Sequence, residues 1–157
     1  MMLKKVISGG QTGVDRAGLG AAMKAGIPVG GYCPKGRRAE DGTIPDFYPL
    51  EELKTDQYHN RTKKNVVESD GTLILNKGSL SQGTKLTYYY TAHHLKPCLI
   101  VQLDADQMIE PVQVVRWIQG QYIKILNIAG PRESKYPERI YREAYDYLLK
   151  VFEGLKI

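Results

Sequence analysis

Lys4-Lys5-Val6-Ile7-Ser8-Gly9-Gly10-Gln11-Thr12-Gly13-Val14-Asp15-Arg16 decides the fold: a short apolar run, a turn holding three glycines, then the opening of a helix. Lys4–Ser8 reads as a strand. Val14–Ala25 reads as a helix, with a small-residue face of Ala17, Leu19, Ala21, Ala22 and Ala25 that Gly26 stops. Glycines in such a turn let backbone approach a ligand closely and supply conformations with φ > 0. The free N–H groups of the helix start then face an anion, aided by the helix dipole. Thr12 and Asp15 have the spacing of a capping box. A tight strand-to-helix turn with no ligand is the alternative reading of the same residues.

The same alternation continues downstream. Pro28–Tyr32, Thr72–Asn76, Pro97–Leu103 and Ile123–Ala129 read as further strands. Helices are expected over Arg61–Glu68, Thr84–Leu95, Asp106–Gln119 and Glu138–Glu153. Residues 33–60 read as irregular, with one helical turn at Leu50–Lys54. A loop that long in a compact domain tends to be functional. Five strands alternating with helices predict an α/β fold: a three-layer sandwich with a mostly parallel five-stranded sheet, as one domain over residues 1–157. The length agrees, since a domain typically takes about 100–200 residues.

Parallel topology sorts the candidate residues. Loops that follow strands share one edge of the sheet, where such folds bind ligands. Residues 8–13, 33–46, 77–84, 104–106 and 130–134 fall on that edge. His93, His94 and Cys98 precede a strand and fall on the far edge; His59, which precedes a short helix, is set aside with them.

Composition narrows the function classes. With 42% hydrophobic and 25% charged residues the chain has ordinary globular values, which excludes disorder. A net charge of +5 favours anionic partners. Arg16, Arg37, Arg38 and Arg132 gather at the loops, not along a basic stripe interleaved with aromatics, so nucleic acid is disfavoured. Two cysteines, Cys33 and Cys98, make neither a disulfide framework nor a metal-ligand spacing, and no metal site is expected. The basic start Met1–Lys5 is followed only by Val6 and Ile7, too short for a signal peptide. No apolar run approaches the ~18 residues of a membrane span. The expectation is a cytoplasmic protein without a membrane partner.

Three further loops carry charge or hydroxyls. In Pro34–Gly42, Lys35, Arg37 and Arg38 can clamp a phosphate or carboxylate, unless Glu40 and Asp41 neutralise them in a salt-bridged turn. Gly78–Thr84 opens another helix with Gly83, Thr84 and, one turn on, Thr87. In Gly130–Ser134, Arg132 either reaches a ligand or pairs with Glu133. Cys33 sits in the core or at the pocket mouth. A dinucleotide fingerprint is degenerate: Ser8 replaces its first glycine, and the basic Lys35–Arg38 cluster stands where an acidic residue should hold a ribose diol. Ordinary NAD binding is therefore disfavoured. No Ser/His/Asp arrangement, Cys–His pair or Walker lysine lies on the ligand edge, so no catalytic residue is assigned.

The stretches SGGQTGVDRAGL, YCPKGRRAEDGTIP, RTKKNVVESDGTLI, GTKLT and NIAGPRES, in this order across about residues 6–134, resemble the putative molybdenum carrier family. That family lies in a Rossmann-like group that also holds lysine-decarboxylase-like phosphoribohydrolases. The resemblance implies a Rossmann-like fold, a homo-oligomer (dimer or tetramer), and a small anionic ligand. That ligand would be molybdate or the phosphorylated molybdenum cofactor, with a nucleotide as the other candidate. Molybdoenzymes would be the acceptors. Carried over by motif, the ligand contacts are Gly9, Gly10, Gln11, Thr12, Gly13, Lys35, Arg37, Arg38, Gly83, Thr84, Thr87 and Arg132.

The alternative is a nucleotide-processing enzyme acting on a nucleoside monophosphate. The phosphoribohydrolases carry a glutamate where this chain has Thr87, and a threonine cannot serve as a carboxylate base. Asp15 or Asp104 would have to replace it. A nucleotide-sensing module is a third reading. Tyr88–Tyr90 and the aromatics of the last helix (Tyr141, Tyr145, Tyr147, Phe152) fit an oligomer interface or the core equally.

Overall fold

The computed structural model describes residues 3–156; Met1 and Met2, the start of the basic N-terminal run, and Ile157 lie outside them. Its centre is a five-stranded sheet in which every pairing is parallel. The strands are β1 (Lys5–Ile7), β2 (Val29–Gly30), β7 (Gly71–Asn76), β8 (Cys98–Gln102) and β9 (Ile125–Ala129), in the order β2-β1-β9-β7-β8. Helices α1 (Val14–Lys24), α2 (Tyr58–Val67), α3 (Gln82–His93), α4 (Pro111–Gly120) and α5 (Ile140–Gly154) cover it. This is the expected α/β sandwich.

Strand order sets the layers. The step β1–α1–β2 runs one way across the sheet and β7–α3–β8 the other. Right-handed crossovers therefore put α1 and α3 on opposite faces. The return from β8 to β9 carries α4 to the face of α1, and α5 packs against both; α2 packs against α3. The last strand enters the middle, pairing with β1 on one side and β7 on the other. Burial on both faces explains the unbroken apolar run Leu73, Ile74 and Leu75 in β7; in β9 the buried Leu126 and Ile128 flank Asn127, whose side-chain amide donates to Thr72 Oγ1 at 3.2 Å.

The main core joins Val6, Leu73, Leu75, Leu126 and Ile128 of the sheet to the alanines of α1 and to Leu148, Val151 and Phe152 of α5. The aromatics of α5 belong here. Phe152 and Tyr147 are buried, Tyr141 and Tyr145 pack on the core, and Tyr147 donates its hydroxyl to the Ile109 carbonyl at 2.6 Å. Tyr88 and Tyr89 of α3 are exposed.

Residues 33–60 are more ordered than the sequence implies. β3 (Tyr32–Cys33) pairs in parallel with β6 (Glu51–Glu52), so the helical turn expected at Leu50–Lys54 is extended chain instead. β4 (Arg38–Ala39) and β5 (Gly42–Thr43) form a small hairpin. A second core of Leu19, Cys33, Ala39, Ile44 and Tyr48 anchors the segment, and Cys33 is wholly buried within it. Such strands are too short to carry a periodic signal. Pairing and this small core create them.

Candidate functional site

A cavity of about 490 Å³ opens at the carboxyl edge of the sheet, between β1, β9 and β7. The turn after β1 contributes Gly9, Gln11 and Asp15. The start of α2 contributes Tyr58, His59 and Arg61, and the start of α3 Ser81, Gln82, Gly83, Thr84 and Thr87. The end of β9 and the chain after it add Asn127, Gly130, Arg132, Ser134 and Lys135. The volume falls within the ~300–1,000 Å³ of small-molecule sites and far exceeds a lone tetrahedral oxyanion.

Six of the twelve residues expected from sequence line this cavity: Gly9, Gln11, Gly83, Thr84, Thr87 and Arg132. The other six do not, and each has another task. Gly13 has φ +81, and a Cβ there would sit 2.5 Å from the Pro131 carbonyl, so the turn passes too close for any side chain. Gly10 (φ +75) lies against Leu50. Thr12 bonds to Glu40 through its hydroxyl and accepts the Glu133 amide at 3.1 Å, so the expected Thr12–Asp15 capping box is not formed.

The basic cluster is also used elsewhere. Arg37, at φ +55, spends its guanidinium on four carbonyls: Ile44 (3.2 Å), Leu50 (3.3 Å), Pro45 (2.8 Å) and Tyr48 (2.8 Å). Arg38 makes an exposed pair with Asp56 at 3.3 Å, and Lys35 is exposed. These side chains organise and solvate the 33–50 segment instead of facing the cavity.

Glu40 and Asp41 do not neutralise that cluster. Asp41 holds Arg16 in a bidentate pair (2.6 and 2.8 Å), and Arg16 also donates to the Gly10 carbonyl at 2.9 Å. The Glu40 amide donates to Gln11 Oε1 at 2.8 Å, and its carboxylate receives the Ser134 hydroxyl at 2.5 Å and amide at 3.1 Å. Burial would raise the Glu40 pKa, but the bonds from Ser134 and Thr12, with Arg132 nearby, hold it below the usual range. The hairpin thus ties the glycine turn to the wall after β9. Arg132 stands 4.0 Å from Glu40, whereas Glu133 caps α5 through the Tyr141 amide at 2.9 Å.

Arg61, absent from the sequence-derived contacts, is joined here by Asp15, named there only as a substitute acid, and by His59, set aside there. Arg61 is buried, donates to the Gly9 carbonyl at 2.9 Å, stands 3.8 Å from Asp15 Oδ2 and lies 5.2 Å from the Tyr58 ring centre. Asp15 accepts the Gln11 amide at 3.3 Å; desolvation pushes its pKa up to about 6 despite Arg61, two backbone amides and Arg16. His59 lines the cavity, contrary to expectation. α2 runs from the ligand edge back to the start of β7, so its first turn faces the site as those of α1 and α3 do. The parallel-sheet rule contained this signal, since any helix leading into a strand starts at that edge.

The helix starts supply donors. Among the described residues, the amides of Tyr58, His59, Gln82 and Gly83 have no acceptor, while Ser81 caps α3 by accepting the Thr84 amide. Also among the described residues, no group of three or more His, Cys, Asp or Glu side chains could hold a metal ion, and no helix is long and apolar enough to cross a membrane. Asp104 accepts the Gly78 amide at 2.9 Å and does not line the cavity.

A family model for the circularly permutated YpsA SLOG family matches residues 6–152. The chain belongs to that family. Among solved structures, the crystal structure of a "Putative molybdenum carrier protein" from Syntrophus aciditrophicus SB is 46% identical, covers 96% of this chain and 95% of that one, and has a TM-score of 0.87. The motif resemblance is borne out. (E)-4-Hydroxy-3-methyl-but-2-enyl diphosphate reductase, 14% identical over 93% of this chain and 59% of that one, has a TM-score of 0.39 and carries no argument. No curated protein is significantly similar to the chain. In this SLOG-family member the shared fold brings three helix starts and one buried arginine to a single cavity.

Proposed function

We propose that this chain is a carrier that holds an anionic, phosphate-bearing ligand of the molybdenum cofactor type. The observation that carries the reading is the cavity itself. The buried Arg61, the more open Arg132 and Lys135, and the helix-start residues Tyr58, His59, Gln82 and Gly83, whose amides have no acceptor among the described residues, all line one space of cofactor size. Gly9, Gln11, Gly83, Thr84, Thr87 and Arg132 are the sequence-derived contacts within it; Arg61, His59 and Lys135 complete the set. The name of the Syntrophus protein supports a carrier role. Where the phosphoribohydrolases have a glutamate, Thr87 donates its hydroxyl to the Gly83 carbonyl at 3.1 Å, a bond that serves the helix.

The second reading, hydrolysis of a nucleoside monophosphate, is favoured by one group. Asp15 is the only carboxylate among the residues lining the cavity, and its pKa of about 6 keeps an acid form available near neutrality. Mass spectrometry of gently purified protein separates the two. The carrier reading expects a co-purifying pterin and thermal stabilisation by a phosphorylated pterin. Absence of both, with free base released from a nucleoside monophosphate, overturns it in favour of the hydrolase.

A further inference from the structure

The cavity is not uniformly positive. Arg61, Arg132 and Lys135 face it, yet the Asp15 carboxylate stands in the same wall, 12% exposed. An ionised carboxylate has about four acceptor positions. In Asp15 the backbone amides of Gln11 (3.3 Å) and Gly9 take two, and Arg61 Nη1 lies 3.8 Å away while donating to the Gly9 carbonyl. Acceptor capacity therefore remains toward the cavity. A carboxylate so placed repels an anion that carries no hydrogen and accepts a bond from one that does.

We propose that Asp15 is the specificity-determining residue of this cavity: it accepts a hydrogen bond from a protonated oxyanion, so the site takes the hydrogen-bearing form of a phosphate group in preference to proton-free dianions such as sulfate or molybdate. This rests on the reading of the cavity as an anion site and narrows it, because it points to the phosphate end of an organic ligand over a bare metal oxyanion.

The other charged groups around Asp15 do not distinguish the two kinds of anion. Arg61 and His59 face it from α2, and Arg132 and Lys135 from the chain after β9. Arg16, on its own helix, is paired with Asp41, and Glu40 is held by Thr12 and Ser134. The part of α3 that lines the cavity is uncharged. At about pH 8, where phosphate and sulfate are both dianions, these groups attract the two alike and cancel from their ratio. Protonation of Asp15 does not cancel: its carboxyl can then donate to sulfate.

Calorimetric titration with inorganic phosphate and with sulfate, at about pH 8 and about pH 5.5, tests this on the wild-type protein and Asp15→Asn. At the higher pH the wild type should prefer phosphate by about tenfold or more, and at the lower pH the preference should shrink toward unity. At about pH 8, where both anions are dianions, Asp15→Asn should bind the two nearly equally, chiefly through tighter sulfate binding. Equal wild-type affinities at the higher pH, or a preference unchanged by pH or by Asp15→Asn, overturn the inference and leave the anion-site reading standing. Failure of the wild type to bind either anion overturns both. Should Asp15→Asn not fold, the wild-type preference at about pH 8, where both anions are dianions, decides alone.

Discussion

Arg61 Nη1 lies 3.8 Å from the carboxylate of Asp15 and 2.9 Å from the carbonyl of Gly9, joining the first turn of α2 to the glycine turn across the cavity wall. The pair is buried on both sides. Arg61→Ala should therefore lower anion affinity by tenfold or more (about 1.4 kcal/mol or above), and destabilise the fold by about 3 kcal/mol. Calorimetry and urea denaturation measure the two separately. Unchanged affinity in folded Arg61→Ala would remove the residue from the site. Gly9→Ala should act in the same direction, since its Cβ would sit 2.3 Å from Arg61 Nη1.

Asp15 gives stability a specific pH dependence. Its folded pKa, about 6, lies above the 3.8 of a free aspartate, so the folded state binds more protons than the unfolded one between those values. Stability from this group is fully present below pH 3.8 and falls as pH rises to about 6, by about 3 kcal/mol. Asp41 and Glu40, held low by Arg16 and by Ser134 and Thr12, act oppositely: they add stability as pH rises through the ordinary carboxylate range. Asp15→Asn should flatten the falling limb and leave the rising one. Denaturation midpoints across this range check both limbs, and an unchanged falling limb would clear Asp15.

Arg37→Ala should destabilise the protein by about 2 kcal/mol, because it strips donors from the carbonyls of Ile44, Pro45, Tyr48 and Leu50. Arg37→Lys should not rescue it, since an ammonium cannot span the positions of a planar fork. Arg38→Ala should change stability by less than about 1 kcal/mol, as its partner Asp56 is exposed. Urea midpoints rank the three. Ligand affinity of the folded fraction should be unaltered by Arg38→Ala.

Glu40→Gln should loosen the wall after β9. The carboxylate receives both the amide and the hydroxyl of Ser134, and Ser134 lines the cavity beside Arg132. Ligand dissociation should speed by about tenfold, the equivalent of one charge-assisted hydrogen bond. Stopped-flow release reads this directly. Ser134→Ala, which keeps the amide bond, should have the smaller effect.

The local pattern was enough for the strands around Val6, Ile74, Ile100 and Leu126, for the parallel sense of their sheet, and for the ligand edge. Glycine spacing, burial-driven β-branched runs and helix-length intervals are local properties, and they survive in a single chain read alone. The 33–60 segment was not legible, because Tyr32–Cys33 becomes a strand only when Glu51–Glu52 arrives beside it. Charge makes Lys35, Arg37 and Arg38 candidate ligand groups. Nothing local reveals that four carbonyls between residues 44 and 50 converge on Arg37.

Chemistry and placement thus divide between the two levels. Residue order alone established an alternating α/β chain, a glycine turn opening a helix, and a second helix start with hydroxyls, Thr87 one turn into it among them. Only the tertiary structure decided which charges face the ligand. It inserted β9 between β1 and β7, brought the start of α2 to the cavity, and buried Arg61 beside Asp15. The physical reason is that a guanidinium or carboxylate acts through what lies within a few ångströms and through the water it has lost, and both are set by segments distant in the chain.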